Sequence, residues 1–318
     1  MREKETVLRI LAKNIRSVLG QTSISWGELK EIRLRMGQPV MLLYKEKMWF
    51  LHPNGMLTEQ AAEAMVAGEE ELRETMEYIC GYSRYIYGEK MKRGFLTVPG
   101  GHRVGMTGRG VLDHGKIKEL VDIGMLNIRI CHEKIGCARE IFGALWEENE
   151  FCNTLIISPP GGGKTTLLRD LIRILASRQV GMTVGVVDER SEIAASVNGV
   201  PQNNLGISVD VLDGCPKAEG MEMLVRSMAP VVIAVDELGT QEDVAALEQV
   251  RNCGVKVIAT AHGTSWSELG LRKSWKTVLQ EHWFSRYILL HNRFEVGKIE
   301  GIYDANGKLL LAEGGWEF

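Results

Sequence analysis

The stretch that decides the fold is Ser158-Pro159-Pro160-Gly161-Gly162-Gly163-Lys164-Thr165-Thr166. An apolar run at residues 154–157 precedes it, and a helical pattern at residues 167–176 follows it. A strand, a glycine-rich turn ending in Gly-Lys-Thr and a helix, in this order, are typical of a loop that binds nucleotide phosphates. Ser158 stands where this motif usually has glycine; serine is small enough for the turn to form, but the substitution leaves the nucleotide affinity open.

The residues of this loop have distinct predicted roles. Glycines leave backbone N–H groups able to wrap phosphate oxygens, and the helix N-terminus adds partial positive charge at the same place. Lys164 is expected to reach the β- and γ-phosphates, and the Thr165 hydroxyl is expected to hold Mg²⁺. The residues predicted to bind nucleotide here are Ser158, Pro159, Pro160, Gly161, Gly162, Gly163, Lys164, Thr165 and Thr166.

Length and composition favour an ordinary globular protein of two domains. The chain has 318 residues, of which 45% are hydrophobic and 25% charged, and its net charge of −3 creates no overall field favouring nucleic acid or anionic lipid. No apolar run reaches the length of a membrane span, and the first five residues lack a signal-peptide core, so we expect a cytoplasmic protein. The six cysteines form no C-x-x-C pair, which favours reduced thiols over a zinc site.

The first 130 residues are predicted to form an α+β domain. The expected elements are an amphipathic helix at 5–20, short strands within 30–50, a helix at about 58–82, strands at 95–98 and 102–112, a hairpin turn at 113–116 and a strand at 125–130. Residues 131–152 are predicted to contain a linker helix, because Ile141, Phe142, Leu145 and Trp146 recur with helical spacing.

Residues 153–318 are predicted to form a second domain, in which strands alternate with helices. Such alternation is typical of a parallel sheet covered on both faces. The expected strands are at 154–158, 183–188, 231–236 and 256–261, with helices at 164–178, 217–228 and 241–252 and further strands after residue 286. The fold class predicted for this domain is therefore α/β.

Two carboxylates follow the apolar run at residues 231–235. Asp236 is expected to hold Mg²⁺ at the end of a buried strand, and Glu237 to act as the general base that polarises the attacking water. A solvated turn is the alternative for two adjacent carboxylates, but the preceding phosphate loop favours the catalytic interpretation.

Two further strands carry polar residues to the same predicted edge of the sheet. Thr260 and His262 follow residues 256–259, and His262 is expected either to sense the γ-phosphate and position water or to be structural. Asp188 and Glu189, with Arg190 after them, are expected to orient water, contact Mg²⁺ or cross a subunit boundary.

Arg226 precedes Asp236 by ten residues and lies on the predicted helix that leads into the carboxylate strand. It is predicted to pair with a carboxylate or to touch phosphate from an adjacent subunit. For Arg190 and Arg226, taken singly, a surface ion pair is an equal alternative.

Together these motifs resemble those of the secretion and pilus motor ATPases, a RecA-like group with an extra strand between the phosphate loop and the carboxylates. Within that group, the chain resembles the stage III sporulation protein AA family over most of its length. The stretches that carry this second resemblance are Glu31-Ile32-Arg33-Leu34-Arg35, Arg93-Gly94-Phe95, Pro99-Gly100-Gly101-His102-Arg103-Val104-Gly105, Asn127-Ile128-Arg129-Ile130 and Lys164-Thr165-Thr166-Leu167-Leu168-Arg169-Asp170. Of these, the Pro-Gly-Gly-His-Arg stretch is specific to the family.

The resemblance implies a RecA-like ATPase that uses ATP and Mg²⁺ and assembles into a hexameric ring. It implies action in the mother cell of a spore-forming bacterium, at the inner face of a membrane complex that links mother cell and forespore. It also implies that arginines of the first domain reach the nucleotide, for which the candidates are Arg84, Arg93, Arg103 and Arg109; a basic surface patch is the alternative. No zinc is expected.

Two other functions fit the same ATPase core. A translocase of single-stranded nucleic acid would need a basic groove with stacking aromatic residues, which the net charge and the sparse aromatics of the glycine-rich loops disfavour, so no nucleic-acid partner is expected. A scaffold that binds ATP with little turnover is hinted at by Ser158 alone, and the complete set of Lys164, Thr165, Asp236 and Glu237 argues against it.

Overall fold

The computed structural model describes residues 2–81, 94–291 and 297–312, and it divides into two compact units, residues 1–132 and 133–318. The first unit is built on a seven-stranded antiparallel sheet with the order β5-β4-β3-β1-β9-β8-β7. These strands are β1 (Leu29–Arg35), β3 (Met41–Tyr44), β4 (Lys47–Leu51), β5 (Leu57–Thr58), β7 (Phe95–Val98), β8 (His102–Asp113) and β9 (Lys116–Arg129); β2 (Gln38–Pro39) and β6 (Val66–Ala67) form a separate small ladder.

Three α-helices accompany this sheet within the described residues, and both helices that the sequence predicted differ from them. The single helix expected at 5–20 is two helices, Arg2–Arg9 and Lys13–Gly20, because the chain turns between them and the N–H of Ala12 donates to the buried Thr75 hydroxyl. The helix expected at 58–82 covers only Glu69–Ile79 among the described residues. It begins where Glu71 accepts a hydrogen bond from the N–H of Gly68, an arrangement that caps a helix N-terminus.

The second unit has an eight-stranded sheet with the order β14-β13-β15-β16-β12-β17-β18-β19. Its strands are β12 (Thr154–Ser158), β13 (Val184–Asp188), β14 (Val209–Asp213), β15 (Val232–Val235), β16 (Lys256–His262), β17 (Arg286–Leu290), β18 (Ile299–Asp304) and β19 (Leu309–Ala312). The pairings from β14 to β17 are parallel, and those of β18 and β19 are antiparallel. Strand β16 lies between β12 and β15, which is the extra strand that the resemblance implied.

Helices cover both faces of this sheet, because its central strands are apolar on both sides. All residues of β12, β13 and β15 are buried, as the continuous apolar runs of the sequence predict. Ile156 packs with Leu167 and Leu171 on one face, while its neighbours Leu155 and Ile157 pack with helices on the other. The helices are Lys164–Leu175, Lys217–Met228, Gln241–Asn252, Trp266–Gly270 and Lys276–Gln280.

The prediction of a linker helix within residues 131–152 is wrong. The chain there forms turns, one 3-10 helix at Phe142–Leu145 and a small hairpin of β10 (Trp146–Glu147) and β11 (Glu150–Phe151). The buried Asp170 carboxylate accepts the N–H groups of Gly136 and Ala138, and this capture holds the segment in turns against the helix Lys164–Leu175. Ile141 and Leu145 are buried as predicted, although no α-helix presents them.

None of the helices in the described ranges is long and apolar enough to cross a membrane.

Candidate functional site: a nucleotide-binding edge of the sheet

The phosphate loop connects β12 to the helix Lys164–Leu175, and two of its glycines are required by its shape. Gly163 precedes the helix with φ of 94°, a left-handed conformation that glycine adopts without strain. At Gly162, a Cβ would lie 1.9 Å from Oγ of Ser158. The loop therefore passes close to Ser158, the residue that departs from the motif.

Lys164 is 4% exposed and uses its three ammonium hydrogens within the loop. Its Nζ lies 3.1 Å from the carbonyl oxygens of Ser158 and Pro159 and 3.1 Å from Nδ1 of His262. Burial lowers the pKa of Lys164, while the carboxylates of Asp236 and Glu237 act in the opposite direction. The ammonium is thus held at the base of the loop, beside the carboxyl end of β16.

Asp236 is held from a helix and from a strand at once. Its Oδ2 accepts a hydrogen bond from the Thr165 hydroxyl at 2.6 Å, and its Oδ1 accepts one from the Thr260 hydroxyl. The fully buried Thr260 also accepts the N–H of Glu237 at 2.8 Å, so one hydroxyl positions both carboxylate residues. The structure therefore brings together Thr165 and Asp236, the two residues predicted to hold a metal ion.

Glu237 has a left-handed backbone, with φ of 57°, which turns its side chain away from the direction of the strand. Its Oε1 lies 2.8 Å from Nε2 of His262, and its Oε2 accepts from Arg190 at 2.5 Å. Because the Lys164 ammonium can only donate, Nδ1 of His262 must accept, and Nε2 then carries the hydrogen that points to Glu237. The predicted general base is thus placed beside the predicted phosphate-binding lysine through one neutral imidazole.

Asp188 is the last residue of β13, at the same edge of the sheet, and it stabilises the loop that follows. Its carboxylate is 2% exposed and accepts the N–H groups of Glu192, Ile193 and Ala194, which shapes the loop after the strand. Burial is the largest cause of its raised pKa, and the three N–H donors oppose that shift. Glu189, by contrast, pairs with Lys217 at 2.6 Å.

The predicted arginines are placed in different surroundings. Arg226 lies at the end of the helix that leads to the start of β15, at the opposite edge of the sheet from Asp236, and the pairing recorded for it is with Glu222 of its own helix. In the first unit, Arg103 stacks on the ring of Phe95 and Arg109 pairs with Asp122. Arg84 and Arg93 lie outside the described residues. A contact of any of these arginines with nucleotide stays a prediction.

The donor set at this edge fits ATP with Mg²⁺. Thr165 and Asp236 present hydroxyl and carboxylate oxygens within 2.6 Å of each other, which are the hard ligands that Mg²⁺ prefers. Mg²⁺ is usually held by one or two such protein groups together with substrate phosphates, and the glycine turn and Lys164 stand beside them to bind those phosphates.

Two parts of the site were missed or undervalued by sequence reasoning. The sequence placed Arg190 at this edge together with Asp188 and Glu189, but it did not indicate that Arg190 pairs with Glu237. Arg169, on the phosphate-loop helix, donates to the carbonyl oxygens of Ile193 and Glu192 and ties the Asp188 loop to that helix. No signal in the sequence indicated that contact, because its two ends are more than twenty residues apart.

Comparison with known families covers nearly the whole chain. A family model described as Sporulation stage III, protein AA matches residues 1–310. The Stage III sporulation protein AA of Bacillus subtilis (strain 168) is 39% identical over 308 residues, which are 96% of this chain and 96% of that protein.

Two solved structures are similar in fold. The pilus retraction motor PilT with bound ADP has a TM-score of 0.57 at 14% identity, covering 90% of this chain and 80% of that one. The ATPase DotB of Legionella pneumophila has a TM-score of 0.51 at 16% identity, covering 83% of this chain and 72% of that one. These likenesses confirm the predicted fold class.

Proposed function

Since the chain belongs to the family of sporulation stage III protein AA, as its sequence motifs predicted, we propose that it is an ATP-hydrolysing motor of a secretion-like complex in sporulation. The observation that carries the proposal is the convergence of Lys164, Thr165, Asp236 and Glu237 at the carboxyl edge of one parallel sheet. Ligands of open α/β sheets bind at that edge. The similar folds of the pilus retraction motor PilT and of the ATPase DotB support the same interpretation.

Each residue of the site has a distinct role in the proposed hydrolysis of ATP. The phosphate loop and Lys164 bind the β- and γ-phosphates, and Thr165 and Asp236 hold Mg²⁺, which supplies positive charge to the phosphate oxygens when bound. The Glu237 carboxylate accepts a proton from the attacking water. The water oxygen bonds to the γ-phosphorus while the bond from that phosphorus to the β–γ bridging oxygen breaks, so ADP and phosphate are the products. His262 fixes the position of Glu237 during this proton transfer.

The assembly is proposed to be a hexameric ring in the mother-cell cytoplasm, bound at the inner face of a membrane protein complex. Secretion-type motors work by closing and opening subunit boundaries as nucleotide binds and leaves. The strand edge that holds the site is open to a neighbour, since Arg190 and Glu189 are partly exposed there. An arginine of the next subunit, with Arg103 as the first candidate, would then complete each site.

The test separates binding from hydrolysis. Lys164→Ala is expected to weaken binding of a fluorescent ATP analogue by roughly 10- to 100-fold, the loss of one or two charge-assisted hydrogen bonds. Glu237→Gln is expected to bind the analogue normally and to release phosphate at least about 100-fold more slowly, the usual contribution of a general base. A matched control is Lys256→Ala, which removes a paired lysine at the start of β16, the opposite edge of the sheet. Normal phosphate release by Glu237→Gln would rule out this mechanism, and binding without any release by the wild type would favour a nucleotide-gated scaffold.

A further inference from the structure

Both carboxylate oxygens of Glu237 accept a hydrogen bond, and the two donor side chains differ in how they are anchored. His262 stands on β16, in the middle of the sheet, and contacts Oε1. Arg190 stands in the loop after β13 and contacts Oε2, and its side chain is 59% exposed while that of Glu237 is 20% exposed. His262 is therefore anchored by its strand, whereas Arg190 reaches Glu237 with an exposed side chain that can rotate into solvent.

The loop that carries Arg190 is fixed at its base. Asp188 binds the N–H groups of Glu192, Ile193 and Ala194, and Arg169 binds two carbonyl oxygens of the same loop. Movement of Arg190 away from Glu237 thus needs only side-chain rotation, with the backbone in place. An exposed ion pair of this kind is weak, typically below about 1 kcal/mol, so binding of a ligand nearby can break it.

A chain of contacts joins Arg190 to the phosphate loop. Lys164 donates to His262, His262 donates to Glu237, and Arg190 donates to Glu237 from the other side. Lysine has three N–H donors, and Lys164 spends all of them on Ser158, Pro159 and His262. A phosphate that engages Lys164 must take a hydrogen from one of these acceptors, and His262 is the one that belongs to a side chain and not to the loop backbone.

The contact of Arg190 opposes the role proposed for Glu237. A general base must present a carboxylate oxygen to the attacking water, and His262 and Arg190 hold both oxygens of Glu237. We propose that Arg190 is a positioning residue that restrains Glu237. When phosphate binds and Lys164 withdraws from His262, Arg190 releases Glu237. This inference rests on the proposed function and adds a regulatory residue to the same site.

The experiment compares steady-state turnover of Mg-ATP by the wild type, Arg190→Ala and Arg190→Lys. Arg190→Ala is expected to raise kcat by roughly two- to fivefold with KM nearly unchanged, the size expected for loss of an exposed ion pair. Arg190→Lys keeps the charge and is expected to stay near the wild type. Lys256→Ala, which also loses a cation paired with a carboxylate, controls for general effects on the surface and is expected to leave kcat unchanged.

The possible outcomes separate this inference from the proposed function. A lower or an unchanged kcat in Arg190→Ala, beside normal wild-type turnover, would overturn only the restraint by Arg190. A raised kcat that persists in the double variant Arg190→Ala with Glu237→Gln would also overturn it, because the extra turnover would not use Glu237. No turnover in either the wild type or Arg190→Ala would contradict the proposed function and this inference together.

Discussion

Thr165 donates a hydrogen bond from its hydroxyl to Oδ2 of Asp236 at 2.6 Å, although 71 residues separate them in the chain. The contact joins the first turn of the phosphate-loop helix to the end of β15, two strands away across the sheet. The contact shows that the residues proposed to hold Mg²⁺ lie close enough together to bind the same ion.

Loss of the Thr165 hydroxyl should therefore weaken Mg²⁺ binding in particular. Thr165→Val keeps the shape of the side chain and removes the oxygen, and we expect the Mg²⁺ concentration for half-maximal turnover to rise about tenfold, the effect of one hydrogen bond to a charged group. Thr165→Ser retains the oxygen and is expected to behave like the wild type. A magnesium titration of phosphate release measures this, and equal midpoints for all three proteins would remove Thr165 from the metal site.

Thr260 is predicted to affect turnover only by positioning Asp236 and Glu237. Its fully buried hydroxyl donates to Oδ1 of Asp236 and accepts the N–H of Glu237, so Thr260→Val removes one hydrogen-bond partner from each of them. We expect kcat to fall at least about tenfold, with nucleotide binding retained, because an unpaired buried group costs about 1–3 kcal/mol and shifts its neighbours. Thr260→Ser should restore turnover. If valine and serine variants turn over alike, the hydroxyl has no part in placing Glu237.

The parts of the site that the sequence predicts well are those that lie at strand ends. Buried parallel strands appear as continuous apolar runs, and the first polar residues after each run, Asp236 and Asp188, mark the carboxyl edge without knowledge of the fold. The strand β14 was missed because its residues are half-buried and alternate with aspartates, at the edge of the sheet.

Tertiary contacts explain what the sequence does not reveal. The spacing of Ile141 and Leu145 suits a helix, but the capture of the Gly136 and Ala138 N–H groups by Asp170 favours turns. In the same way, Arg190 could not be assigned to Glu237 from the sequence, because its partner depends on how the loop after β13 turns.

His102 of the Pro-Gly-Gly-His-Arg stretch is predicted to make the first unit sensitive to acid. It is fully buried, accepts the N–H of Cys131 and contacts the Thr6 hydroxyl at 2.7 Å; burial is the main cause that lowers its pKa from 6.5 to about 4. Since the folded state prefers the neutral ring, this stabilisation is complete above pH 6.5 and is lost as the pH falls towards 4. The free energy of unfolding should drop by up to about 3 kcal/mol more in the wild type than in His102→Gln over this range.

Urea unfolding of both proteins at several pH values measures that difference. His114→Gln is the matched control for replacing a histidine, because His114 is exposed at the tip of the β8–β9 hairpin. Parallel curves for the wild type and His102→Gln would contradict the assignment of a neutral, buried His102.

Arg103 is predicted to complete the site of a neighbouring subunit. Arg103→Ala and Lys164→Ala should each be inactive alone, the first through loss of the reaching arginine and the second through loss of phosphate binding. An equal mixture should recover up to about a quarter of wild-type turnover, because a ring of mixed subunits pairs an intact Lys164 with an intact Arg103 at that frequency. Arg103→Lys tests whether charge alone is enough. A mixture as inactive as its components would place Arg103 outside the neighbouring site.

The central claim, a hydrolysing motor whose base is Glu237 and whose sites form between subunits, is tested most directly by one measurement. That measurement is the rate of phosphate release from Mg-ATP per mole of protein, recorded against protein concentration for the wild type and Glu237→Gln. The account predicts a specific rate that rises with concentration in the wild type and stays near background in Glu237→Gln, while both bind nucleotide equally. A rate independent of concentration would contradict shared sites, and an equal rate in Glu237→Gln would contradict the proposed mechanism.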